Sequence, residues 1–257
     1  MIESILIAEE FSKLDTAYNS KKQEINELTN AQIFSGVTSK MWVNNHPSGC
    51  KRHQLLFSTH NIIPNYCFNC FKIHITVKNV EDLFKLTFLF KGLNLPEDNT
   101  RKCMLVSNPN DEHHYAGYIY FQSYKKALSV FHEVSKLIAN EICPKALIRI
   151  KRGCSNFESR YPDYGKFNSL FVKFVEKNNL SFSIRENEFN ISKLAESLEK
   201  TKLKHFPEKK FTNVDYAIMK KWLEYANTIG DHSYKRIFNK ELKKISSLDH
   251  SKFPSFV

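Results

Sequence analysis

Glycine is scarce in this chain, at 7 of 257 residues. A Gly-rich phosphate loop or a dinucleotide-binding fingerprint needs several glycines close together, so that backbone can approach phosphate. Neither cluster is present, which excludes nucleotide chemistry of those two kinds. Long apolar runs are missing too. The most apolar stretch, "LFKLTFLFKGL", is interrupted by lysines and is far too short to span a bilayer. The start, "MIESILIAEEFSKLD", has acids at positions 3, 9 and 10 and lacks the basic region and cleavage site of a signal peptide. These absences lead to the expectation of a cytoplasmic protein that does not enter a membrane. Enzyme signatures are also lacking: there is no HExxH, no GxSxG and no His-x-Glu ahead of a Cys-x2-Cys.

Cysteines number only 6, and in a reducing compartment paired cysteines read as metal ligands or redox groups before disulfides. Four of the chemistry-bearing residues form two knuckles. "GCKRHQ" carries Cys50 and His53, and "NYCFNCFKIHI" carries Cys67 and Cys70. Two-residue spacing lets both side chains of a knuckle converge, and two knuckles complete a tetrahedral Cys3His zinc site. Such a site would be closed and structural, a staple for the stretch before the first strand. The competing interpretation is that Phe68 and Phe71 draw these cysteines into the core, where free cysteine is commonly buried.

Aromatic residues and positive charge are abundant. Phe is present 21 times and Tyr 11 times, and Lys+Arg of 38 against Asp+Glu of 27 leaves a formal charge of +11. That surplus suits a polyanionic partner such as nucleic acid, or an acidic protein surface. It also suits plain solvated helix faces such as "KELKK".

Periodicity organises the chain into three parts. Residues 1–66 read as a helical N-terminal extension with the candidate zinc knuckle. Ile5, Ala8, Phe11, Leu14 and Tyr18 mark the inner face of helix within 4–30, and 31–66 reads as irregular. Residues 67–166 read as an α+β core. "FKIHITV" alternates as a half-buried strand. "NVEDLFKLTFLFKGL" has Asn79 as N-cap and Gly92 just past its end. "RKCMLV" and "GYIYF" are strands, "SYKKALSVFHEVSKLIAN" is a helix capped by Ser123, and "ALIRIKR" is a fourth strand. The order βαββαβ over 71–152 predicts a ferredoxin-like antiparallel sheet with both helices on one face. Residues 167–257 read as mainly helical and packed on the core, ending in "NVDYAIMKKWLEYANTIG" with Ala217, Ile218, Trp222, Tyr225 and Ile229 on one side.

If the helices cover the Phe71/Ile73/Ile75 face, the opposite face carries Lys72, His74, Tyr118, Tyr120, Arg149 and Lys151. Aromatic and basic side chains interleaved on a sheet can stack bases and hold phosphates. "AGYIYF" spaces its tyrosines after a glycine as RNA-recognition motifs do, but Ala116, Ser123 and His74 depart from that pattern, and no family is inferred. Basic residues continue through Arg152 and Arg160, with Tyr161 beside them. The opposing interpretation is that the rest of the chain packs on this face and buries its tyrosines.

Catalytic candidates are weaker. Cys154 follows Gly153 near Arg152, a setting that can activate a thiol, and His113 and His114 are candidate bases or ligands in a polar loop. The sequence thus leads to non-catalytic nucleic-acid binding, of RNA or single strands. The alternatives are a protein-interaction module docking an acidic partner and a Cys/His-dependent enzyme. Oligomeric state is not encoded in any pattern identified here.

Overall fold

The computed structural model describes residues 4–20, 40–44, 50–61, 63, 65–96, 99–106, 113–161, 164 and 211–239. The elements are α1 (Ser4–Ser20), β1 (Lys40–Asn44), α2 (Cys50–His60), α3 (Asn65–Phe68), β2 (Phe71–Val77), α4 (Val80–Gly92), β3 (Arg101–Leu105), β4 (Tyr115–Phe121), α5 (Tyr124–Glu141), β5 (Leu147–Arg152), α6 (Ser155–Arg160) and α7 (Asn213–Ile229). A 3-10 turn, His232–Arg236, follows. The protein is α+β, with five strands in one antiparallel sheet ordered β1-β3-β4-β2-β5. The helix expected over 21–30, the strand or short helix and possible strand expected within 167–190 and the helix expected around 191–203 lie outside the described residues.

Alternation decides the sheet's two faces. Phe71, Ile73, Ile75 and Val77 are buried on the face that α4 and α5 cover, with Tyr115, Ile119 and Phe121 beside them from β4. Met41 and Val43 of β1 and Cys103 and Leu105 of β3 extend the same core. Gly117 lies under α4, and a Cβ there would stand 2.5 Å from Leu86 Cδ2. Outside this layer α1 and α7 pack on α4, with Phe11, Phe84, Tyr216 and Trp222 buried together. Two buried polar contacts tie them in. Ser4 and Glu81 join α1 to α4, and the Tyr216 hydroxyl donates to Asp15.

The caps follow the sequence, with one exception. Asn79 accepts from the Asp82 N–H at 2.8 Å and Ser123 from the Lys126 N–H at 3.2 Å. Thr212 and Asp215 form a capping box at α7, which ends on Gly230 with φ 79°, the left-handed turn glycine permits. Gly92, expected beyond α4, is instead its last residue, and the chain leaves through an extended Leu93. Buried Arg101 replaces the glycine cap by donating Nη1 to the carbonyls of Phe90 at 2.6 Å and Leu93 at 2.7 Å.

Helix faces also differ from simple periodicity. In α1 the buried residues are Ile7, Phe11 and Asp15, and Ile5 is 66% exposed. In α5 Ala127, Val130, Val134 and Ile138 face in, leaving Leu128 exposed. In α7 Tyr216, Met219, Leu223 and Ala226 join Trp222, and Ile229 is exposed. The segment read as irregular contains β1, α2 and α3. Leu56 of α2 is buried, and Phe57 packs with Cys67, Phe68, Phe157 and Tyr164 in a second small core.

Candidate functional site

Strand register assembles the face opposite α4 and α5. Trp42 pairs with Lys102, Lys102 with Tyr118, Tyr118 with His74, and His74 with Arg149. One row crossing all five strands therefore alternates ring and cation until His74. The neighbouring register positions add Tyr120, Lys72 and Lys151 on the same face.

The rings pack along this row. His74 and Tyr118 stack at 4.7 Å with 14° between planes, Tyr118 and Tyr120 lie 6.4 Å apart, and Trp42 is 6.3 Å from Tyr120. Lys102 Nζ stands 5.4 Å from the Trp42 ring, 4.8 Å from Tyr118 and 5.7 Å from Tyr120. Lys72 Nζ stands 5.1 Å from the Tyr118 ring and donates to Ser155 Oγ at 2.9 Å. Such contacts stabilise a desolvated ammonium by up to about 2 kcal/mol each.

Among the described residues, Glu158 is the acid that reaches this face, 3.8 Å from Lys151. Burial, with a smaller effect from the charge of Lys151, lowers the Lys72 amine to about 8. Burial, then the charges of Lys72 and Lys40, lowers Lys102 to about 7. Burial first and then Lys72, Arg149, Lys151 and Lys102 push His74 down to about 3, so its ring is neutral. Its Nε2 is 3.4 Å from Thr76 Oγ1, and its buried Nδ1 has no hydrogen-bond partner.

Lys72, His74, Tyr118, Tyr120, Arg149 and Lys151 share this face, with Arg149 exposed and Lys72 and Tyr118 buried. Arg152 stands apart from it. Its side chain is buried, donates to the Phe68 carbonyl at 2.5 Å, and lies over the Phe68, Phe71 and Tyr164 rings. That arrangement pins the small core to the sheet. Tyr161 belongs to the same small core, donating its hydroxyl to the Asn61 carbonyl at 3.3 Å, while Arg160 is exposed at the end of α6. Trp42, Lys102 and Ser155 were not identified from sequence. Lys102 was recoverable from the alternation of "RKCMLV", whereas Trp42 lay in a stretch read as irregular.

The cysteines divide. Cys67 Sγ lies 3.3 Å from His53 Nδ1. Cys50, Cys70 and Cys154 instead lie within electrostatic reach of one another. Among the described residues no group of three or more His, Cys, Asp or Glu side chains is assembled for a metal. Burial raises Cys50 to about 11, Cys70 to about 12 and Cys154 above its ordinary value. A thiol raised in this way is protonated at neutral pH, the opposite of an activated nucleophile. Cys154 follows the β5 end that pairs with Phe71, whereas His113 and His114 precede Tyr115, which pairs with Val77 at the other end of β2. The Cys154 and histidine candidates therefore occupy opposite ends of the sheet, and His114 Nδ1 is 2.9 Å from the Tyr225 hydroxyl.

No helix among the described residues is long and apolar enough to cross a membrane. No family model, no curated protein and no solved structure matches this chain.

Proposed function

We propose that this protein binds nucleic acid without catalysis, taking RNA or other single strands on the Trp42–Arg149 row of its sheet. The strand order over 71–152, with both crossing helices on one face, supports a ferredoxin-like βαββαβ core as the platform. The observation that carries the reading is the row itself: Trp42, Lys102, Tyr118, His74 and Arg149 in continuous register. The half-exposed rings of Trp42, His74 and Tyr120 offer stacking surface to a base, and the exposed Arg149 can neutralise a phosphate. A broad sheet face accommodates an unpaired strand, while a duplex hides its bases from such a surface.

The test is binding of the purified protein to fluorescent single-stranded RNA and to duplex DNA across a salt series. Micromolar or tighter binding to the single strand, weakening steeply with salt, supports the reading. The Arg149→Ala/Lys151→Ala double variant should bind more weakly and lower the salt slope by about one to two. Absence of binding at low salt sinks the proposal and favours the acidic protein partner, which the same cations would suit.

Structural zinc at Cys50, His53, Cys67 and Cys70 is a separate proposal. It rests on the knuckle spacing and on the Cys67–His53 contact. Stoichiometric zinc in protein purified without added metal, lost together with folding in Cys67→Ser, would support it. Metal-free protein that folds normally would reject it.

A further inference from the structure

Lys72 and Lys102 come from different strands, β2 and β3, yet both ammoniums stand over the ring of Tyr118 between them, at 5.1 and 4.8 Å. Two like charges held over one ring repel, and Lys72 is one of the groups that lowers the affinity of Lys102 for a proton, after burial. Neither is paired with a carboxylate among the described residues. Lys72 is 3% exposed, and its hydroxyl partner Ser155 adds a neutral polar group. Beside them, the buried Nδ1 of His74 lacks a hydrogen-bond partner. Two desolvated like charges next to an orphaned polar nitrogen are costly to assemble. A doubly charged anion resolves that arrangement, because it neutralises both ammoniums and can take up the imidazole nitrogen.

We propose that Lys72, Lys102 and His74 form a subsite for a phosphate monoester, so that the sheet recognises the phosphorylated end of a nucleic acid strand. This rests on the nucleic-acid reading above and deepens it. Charge selects the chemistry. A phosphate monoester carries nearly two negative charges at neutral pH, matching two ammoniums, whereas each internal phosphodiester carries one. Internal phosphates suit the more accessible Arg149 and Lys151 farther along the row. A terminal phosphate belongs in the interior subsite, with the strand leading away across the rings.

The experiment compares one short single-stranded RNA in three forms: 5′-phosphorylated, 3′-phosphorylated, and hydroxyl at both ends. Inorganic phosphate serves as a competitor and, alone, as a thermal-shift ligand. One phosphorylated form should bind about tenfold tighter than the hydroxyl form, and inorganic phosphate should remove that advantage. Lys102→Met fills similar volume and should abolish the preference, bringing the phosphorylated and hydroxyl-ended forms to one common, weaker affinity, and Lys102→Arg should preserve it. Equal affinity for all three forms overturns this inference and leaves the nucleic-acid reading standing. If no RNA binds but phosphate stabilises the natural protein and not Lys102→Met, the subsite stands with a small phosphate ester as its ligand, and the nucleic-acid reading fails. No RNA binding and no phosphate stabilisation overturns both.

Discussion

His74 and Tyr118 are in Cα register on adjacent strands, and their rings stack at 4.7 Å with only 14° between planes. The stack places a neutral imidazole among Lys72, Lys102, Arg149 and Lys151, the cations that with burial depress its basicity. The imidazole contributes aromatic surface where an ionised histidine would add further repulsion.

This arrangement predicts an acid-side loss of stability. His74 takes a proton near 6.5 in the unfolded chain but only near 3 in the fold. Between those values the unfolded state binds more protons, so stability rises with pH. The contribution is complete above about pH 6.5 and is lost progressively as pH falls through that window. Urea unfolding of the natural protein and His74→Phe at pH 7 and pH 5 should show the natural protein losing more stability on acidification. Equal losses would mean that His74 is not held neutral by its surroundings.

Much of the sheet was legible in sequence because strict alternation, as in "FKIHITV", specifies both a strand and its faces. Asn79 and Ser123 likewise marked helix starts through local chemistry that survives folding unchanged. Long-range effects were hidden. Arg101 reaches back to cap α4, so Gly92 need not terminate it, and Arg152, in register with Phe71 on the face opposite Lys151, lies over the Phe68, Phe71 and Tyr164 rings. Trp42 was missed because β1 is five residues long and gains its meaning only from pairing with Lys102. Sequence could place Lys72 and Tyr118 on one face, but only the register could bring Lys102 to that ring.

At Gly117 the backbone of β4 passes close under α4. A methyl group there would meet Leu86 Cδ2 at 2.5 Å and Phe90 Cε2 at 3.2 Å, in a core where Leu86 and Phe90 are fully buried. Gly117→Ala should therefore destabilise the fold by about 1–3 kcal/mol through overpacking. The midpoint of urea unfolding should fall with little change in slope. A neutral result would show that Leu86 can change rotamer freely, contrary to the close packing described.

Asp231 joins elements far apart in sequence. Its Oδ2 accepts the Val80 N–H at 2.7 Å and the Tyr115 hydroxyl at 2.8 Å, and its Oδ1 accepts the Ser233 N–H at 3.0 Å. The carboxylate thus serves the positive N-terminus of α4 from a distant loop while anchoring the start of β4. Asp231→Ala should cost about 2–3 kcal/mol, since the Val80 and Tyr115 donors lose a charged acceptor. Asp231→Asn should recover part of this because its amide oxygen can still accept. Calorimetric melting of the three proteins checks the order; an alanine variant as stable as the natural protein would remove Asp231 from the structural core.

If Lys102 holds a phosphate monoester, the affinity must carry its titration. Its amine sits near 7, lowered first by burial and then by Lys72 and Lys40, with Cys154 and Cys50 acting in the opposite direction. A bound dianion favours the charged form, so binding takes up a proton wherever free Lys102 is neutral. Above pH 7 the monoester is already largely dianionic, and changes in binding then report the protein. Affinity for the phosphorylated RNA should fall about tenfold between pH 7 and 8.5, while the hydroxyl-ended form changes much less. Lys102→Arg should reduce the difference to the part that Lys72 contributes as its amine loses its proton near 8, because a guanidinium keeps its proton throughout. The subsite assignment fails if both RNAs weaken in parallel, since the titrating group would then act on the whole strand rather than on its phosphorylated end.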